Sequence, residues 1–202
     1  MKILARGKSR EAAPLLARSP DDQELVVRIL SGDDAAFGVL VQKYWERLFR
    51  LALGILGDWH LSEDVLQEVF VLVHRKLANF DGRSQLLTWL YRVTVNASLK
   101  ARQRERRKSL PPISADFDRS ASGPAPGSEL EMKELGQKLL RCLPAKLRAV
   151  VLLREWEGLG YDEIGRVLGL SRGAVEQRLH RAMVELRRVW NPARKEEWLH
   201  GL

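Results

Sequence analysis

"YDEIGRVLGLSRGAVEQRLHRAMVELRRVW", Tyr161–Trp190, holds two helix-length segments hinged at Gly169. Ile164, Val167 and Leu168 give the first segment an inward edge, and Val175, Leu179 and Met183 do the same for the second. Gly169 stands where a tight turn between helices needs a positive φ. Ser171 is placed to cap the helix that follows. Spacing, turn and cap predict helices near 162–168 and 172–189 in a helix-turn-helix. Outward on the second helix lie Arg172, Glu176, Gln177, His180 and Arg181. In such a motif the N-terminal outward residues of the second helix reach base edges in the major groove. Arg suits guanine, Gln suits adenine, and Glu accepts from cytosine N4. Arg178, Arg187 and Arg188 are better placed for phosphates. A solvated hairpin in a bundle is the plainer reading, but turn, cap and polar face agree on DNA binding.

Upstream, the pattern stays helical. Helices are expected near 129–142 and 144–156, with Pro144 in a first turn that needs no backbone donor. Before them, "SLPPISADFDRSASGPAPGS", Ser109–Ser128, holds four of the eight prolines and reads as a flexible linker. It divides the chain into a tail over 1–20, a domain over 21–108, the linker over 109–128, a domain over 129–190 and a tail over 191–202. In the first domain "DDQELVVRIL" is a short amphipathic helix. A longer one runs from about Asp33 to Leu56, with Phe37, Leu40, Val41, Tyr44, Leu48, Leu51 and Ile55 inward. "GDWH" breaks it. A third covers about 61–78, burying Leu61, Val65, Leu66, Val69, Leu72, Val73 and Leu77. "NFDGRSQ" is a loop of turn residues, and a last helix runs from about Leu86 into "RQRERRK". The fold class is all-α, two small helical domains on a linker, the C-terminal one a helix-turn-helix.

Composition narrows the function. The formal charge is +8 over 202 residues with a pI near 9.9, which favours a polyanionic partner. The charge is concentrated in the N-terminal tail, in Arg102 to Lys108 and in the last helices, while the body of the first domain is slightly acidic. No apolar run approaches the roughly 18 residues of a membrane span, so no membrane insertion is expected. The N-terminus has no secretory apolar core. The lone Cys142 fits a reducing cytoplasm. No Gly-rich phosphate loop and no Cys/His zinc spacing is present, so neither enzyme, metal nor cofactor is expected. "EWLH", Glu197 to His200, supplies one Glu-x-x-His unit where a di-metal carboxylate bundle needs two.

Two further surfaces stand out in the first domain. Asp64, Gln67, Glu68 and Val71 recur at i, i+3, i+4 and i+7 beside the core stripe of their helix. Viewed alone this is a solvated face; it is also fit to dock a partner's helix. In "NFDGRSQLLTWLYRVTVNASLKARQRERRK", Phe80, Trp89 and Tyr91 interleave with Arg83, Arg92, Asn96 and Lys100. Exposed aromatics beside cations suit single-stranded DNA, where bases need platforms and phosphates need charge. The opposing reading makes Trp89 and Tyr91 core.

"GDDAAFGVLVQKYWERLFRLALGILGD", "SEDVLQEVFVLVHRKLANFDGRSQLLTWLYRVTVNASL" and "LPAKLRAVVLLREWEGLGYDEIGRVLGLSRGAVEQRLHRA" together resemble bacterial RNA polymerase sigma factors of the extracytoplasmic-function group. The resemblance covers about 21–108 and 129–190, as regions 2 and 4 of that family. It implies a promoter-recognition subunit that works with core RNA polymerase, through its β′ and β subunits, on promoter DNA. An anti-sigma protein is a further expected partner. Asp64, Gln67, Glu68 and Val71 would meet the coiled-coil clamp helices of β′. Phe80, Asp81, Arg83 and Ser84 would capture a flipped base of the −10 element. Trp89, Arg92, Asn96 and Lys100 would lie at the melted strand and the upstream duplex edge. Ser171, Arg172, Ala174, Glu176, Gln177, Arg178, His180 and Arg181 would read the −35 element. Base capture offsets the cost of unstacking, so opening would be driven by binding and not by hydrolysis. Three positions depart from the family's pattern: Gly160 replaces a common Ser, Gly165 a small Ala and Ala174 a common Thr. The first removes a helix cap, and the second weakens a helix interior by roughly 1 kcal/mol. The third removes a hydroxyl within reach of a phosphate. A helix-turn-helix regulator with a sensing first domain is the competing reading, and a metal-dependent enzyme the third.

Overall fold

Aspartates and glycines punctuate the chain where helices must begin and end. In the computed structural model, which describes residues 20–80, 82, 84–108 and 138–190, α1 spans Pro20–Leu30 and α2 spans Asp34–Leu56. Asp33 caps α2, its carboxylate accepting from the Ala36 N–H at 3.0 Å. Gly57 ends it at φ +75°, its N–H donating to the Leu53 carbonyl at 2.8 Å. One residue later Asp58 caps α3, Trp59–Lys76, by accepting from the Leu61 N–H at 2.8 Å. A single 3-10 turn, Leu77–Asn79, follows, and α4 spans Leu86–Lys108. After helical residues 138–141 come α5, Ala145–Glu155, α6, Tyr161–Leu168, and α7, Arg172–Val189. Among the described residues there is no strand.

Helices α2, α3 and α4 pack on one another around Leu40, Leu48, Leu51, Ile55, Val65, Leu66, Val69, Val73 and Leu90, all at most 1% exposed. The inward stripes expected on α2 and α3 therefore face the core, with Phe49 and Phe70 added to them. Leu72, expected inward, is half-exposed. Helix α1 lies on α2, where the Tyr44 hydroxyl donates to the Asp22 carboxylate at 2.7 Å. Helices α5, α6 and α7 form the second unit, around Val150, Leu152, Ile164, Val167 and Val175.

The two units do not stand apart. Helix α2 packs on α5 and α4 packs on α6, so one hydrophobic core runs through both. A Cβ on Gly54 of α2 would sit 2.8 Å from a Leu152 methyl, so the glycine sets how closely α5 approaches. The expected linker over 109–128 and both expected tails, apart from Pro20, lie outside the described residues.

Two glycine expectations change in the helix-turn-helix. Gly160 supplies no side-chain cap, but Glu163 compensates by accepting from the Gly160 N–H at 2.7 Å. Gly165 is not a weak point. A Cβ there would lie 2.6 Å from the Leu170 carbonyl oxygen, which is backbone and fixed by the turn. Gly165→Ala will therefore destabilise the protein by more than about 1 kcal/mol despite alanine's better helix propensity. A denaturant titration checks this: an unchanged or raised midpoint would show that the turn adjusts.

Candidate nucleic-acid interface

The turn of the C-terminal motif is built as its sequence requires. Gly169 has φ +65°, and Leu170 donates its N–H to the Gly165 carbonyl at 2.9 Å. Ser171 caps α7, its hydroxyl accepting from the Ala174 N–H at 3.3 Å. Val175, Leu179, Ala182 and Leu186 are buried, which leaves Arg172, Glu176, Gln177, His180 and Arg181 on an exposed face. Ala174 and Arg178 are half-buried at its margin. Ala182 and Leu186 extend the stripe beyond the residues singled out in the sequence, and the same period would have found them.

Arg172 is held by contacts within the chain. Its Nε donates to Glu176 at 3.1 Å and one Nη to Asp162 at 3.3 Å, and the guanidinium lies 5.6 Å from the Tyr161 ring centroid. Glu176 and then Asp162 push the guanidinium further toward its charged form. Both ion pairs are exposed, so they orient the side chain and contribute little to stability.

In the first unit, Asp64, Gln67, Glu68 and Val71 are all exposed on one side of α3, opposite Val65, Leu66, Val69 and Val73. Val71 is 53% exposed, a large apolar side chain without cover among three polar ones. Arg104 of α4 reaches Glu68 at 3.3 Å across the surface.

A second face lies on α4 and the loop before it. Arg92, Asn96 and Lys100 are exposed along one side of the helix, and Phe80, Ser84 and Trp89 are half-buried near its start. The rings of Phe80 and Trp89 are 5.6 Å apart at 50°, both resting against the core. Asp81 and Arg83 lie outside the described residues. Tyr91 is not an available platform: it is fully buried, and its hydroxyl donates to the Glu157 carboxylate. Burial, then the Glu157 charge, raises its pKa well beyond the ordinary tyrosine range. Among the described residues no group of His, Cys, Asp and Glu could hold a metal ion, and no helix is long and apolar enough to cross a membrane. Glu197 to His200 lie outside those residues.

Known proteins are similar to this chain in sequence and fold. Residues 40–108 match Sigma-70 region 2, and residues 136–186 match Sigma-70, region 4. The chain is 32% identical over 186 residues to RNA polymerase sigma-H factor of Pseudomonas aeruginosa, covering 87% of this chain and 96% of that protein. It is 37% identical over 164 residues to ECF RNA polymerase sigma factor SigE of Mycolicibacterium smegmatis, covering 78% of this chain and 63% of that protein. Among solved structures, CnrH in complex with the cytosolic domain of CnrY is similar at a TM-score of 0.63 and 28% identity. That likeness covers 84% of this chain and 96% of CnrH.

Proposed function

Because the chain belongs to the sigma-70 family of RNA polymerase sigma factors, in its extracytoplasmic-function group, we propose residue by residue how it directs polymerase to promoters. Asp64, Gln67, Glu68 and Val71 dock on the clamp helices of β′. Phe80, with Asp81, Arg83 and Ser84, takes an extruded −10 base. Trp89, Arg92, Asn96 and Lys100 hold the melted strand and the upstream duplex edge. Helix α7 reads the −35 element through Ser171, Arg172, Ala174, Glu176, Gln177, Arg178, His180 and Arg181. The protein works in the cytoplasm, as a binding subunit and not as an enzyme. An anti-sigma protein is its expected antagonist, in line with the solved complex of CnrH with CnrY.

One observation supports this reading most. Helix α3 turns an exposed Val71, flanked by Asp64, Gln67 and Glu68, away from a fully packed core. A plain regulator has no use for that face, whereas a helical partner buries Val71 and pairs the acids. A photo-crosslinking side chain at Val71 should capture the β′ subunit when core polymerase is added. Capture of another subunit, or of none while the complex forms, would remove α3 from the docking role.

A further inference from the structure

Arg172 stands where a helix least favours a cation. It is the first residue of α7, at the end whose dipole is positive. Ser171 already caps that end through the Ala174 N–H, so the helix does not need the arginine to begin. Contacts from two helices hold it there. Glu176, one turn along α7, accepts from Nε at 3.1 Å, and Asp162, in the first turn of α6, accepts from Nη1 at 3.3 Å. The guanidinium lies over the Tyr161 ring, 5.6 Å from its centroid.

The ring is itself fixed. Tyr161 is half-buried against the core at the start of α6. Arg154 of α5 lies over the same ring at 4.9 Å, and its Nη1 donates to the Leu159 carbonyl at 2.9 Å. Glu163 secures the backbone one residue earlier by accepting from the Gly160 N–H at 2.7 Å. The packed interior thus reaches the exposed Arg172 through Tyr161.

These contacts act on geometry more than on stability. The Arg172 side chain is 61% exposed, and those of Asp162 and Glu176 are 67% and 48% exposed, so solvent screens both ion pairs. An arginine that is already held gives up less rotamer freedom on binding than a free one. The carboxylates take Nε and one N–H of Nη1, and Nη2 has no acceptor among the described residues. One N–H on Nη1 and those of Nη2 remain, enough for the two-pronged pairing with O6 and N7 of guanine.

We propose that Tyr161 and Asp162 are positioning residues that hold the Arg172 fork at one guanine of the −35 element and so set the discrimination at that base pair. The inference rests on the −35 reading of α7 given above, and it places part of that specificity on α6, outside the recognition helix. The aromatic ring carries the effect and the phenol hydroxyl takes no part.

The test uses holoenzyme formed from the full chain and core polymerase, with competition binding to promoters carrying all four base pairs at each −35 position in turn. Arg172→Ala identifies the pair that Arg172 reads, as the one preference it erases. At that pair Tyr161→Leu and Asp162→Ala should each lower the preference for guanine about two- to fivefold, the worth of an exposed cation–π contact or ion pair. Preferences at the other pairs should stay as they are. Tyr161→Phe should keep the parent's preference, and Tyr161→Leu should change nothing further in an Arg172→Ala background. A merely structural Tyr161 gives a different pattern, weaker binding to every promoter alike and in both backgrounds. That pattern, or a Tyr161→Phe protein as defective as Tyr161→Leu, would overturn the proposal. Asp162 is exposed, so Asp162→Ala decides should Tyr161→Leu fail to fold. If Arg172→Ala leaves every preference intact, the −35 reading of Arg172 fails and the platform with it. If Arg172→Ala erases one preference that folded Tyr161→Leu and Asp162→Ala proteins retain in full, the platform alone fails.

Discussion

Leu66→Ala will destabilise the protein by about 2–5 kcal/mol, while Asp64→Ala, two residues earlier on the same helix, will cost less than about 0.5 kcal/mol. The contrast follows from which way each side chain points. Leu66 is fully buried on α3, which packs on both α2 and α4, and its truncation removes transfer energy and leaves a cavity that the packed helices fill only in part. Asp64 faces solvent. Functionally the order reverses. Asp64→Ala removes a charge that the proposed clamp-helix contact would use, and core association should fall by about tenfold. Thermal melting and core-binding titrations on the same two proteins give the answer. Loss of stability in Asp64→Ala, or undiminished core binding, would remove that residue from the docking face.

Trp89→Ala is expected to have the largest effect on promoter opening. Stacking of an unpaired base on an aromatic side chain is worth about 1–3 kcal/mol, a factor of roughly 5 to 150 in the open complex. Trp89 is half-buried against Phe80 and the core, so some loss of stability accompanies the change. The two contributions separate on a promoter carrying a pre-opened bubble over the −10 element. There the cost of unpairing has already been met, and the defect should shrink markedly relative to the intact duplex. An equal defect on both templates, together with a lowered melting temperature, would make Trp89 a packing residue only.

Much of this fold is legible in the sequence because it depends on local rules. Asp33 and Ser171 announce helix starts, and Gly57 and Gly169 announce helix ends. The inward stripes of α2, α3, α6 and α7 follow from a period of 3.6. The seam between the units does not follow from any local rule. Arg148 and Glu157 look like surface charges, yet each is buried by a partner in the other unit, Ile55 93 positions away and Arg47 110 positions away. Tyr91 stays open in the sequence for the same reason: a Tyr beside arginines suits either a nucleic-acid platform or the core, and the long-range contact to Glu157 decides for the core. Gly165 shows the limit in miniature. Helix propensity names it a defect, but a single backbone oxygen at Leu170 makes it a requirement.

Helical spacing predicts the exposure of Asp64, Gln67, Arg92, Asn96, Gln177 and His180, whereas Phe80, Ser84, Trp89, Ala174 and Arg178 are half-buried. What each touches is set by molecules outside this chain. The family assignment supplies those partners, and Asp64, Arg92 and Arg172 are exposed.

The most direct measurement is transcription initiated by the purified protein with core polymerase, set beside DNA binding by the protein alone. Specific start sites should arise only when both proteins are present, and the isolated chain should bind promoter duplex weakly and with little discrimination. Tight, sequence-specific binding without core polymerase, with no start sites when core is added, would contradict the account and favour a self-sufficient regulator.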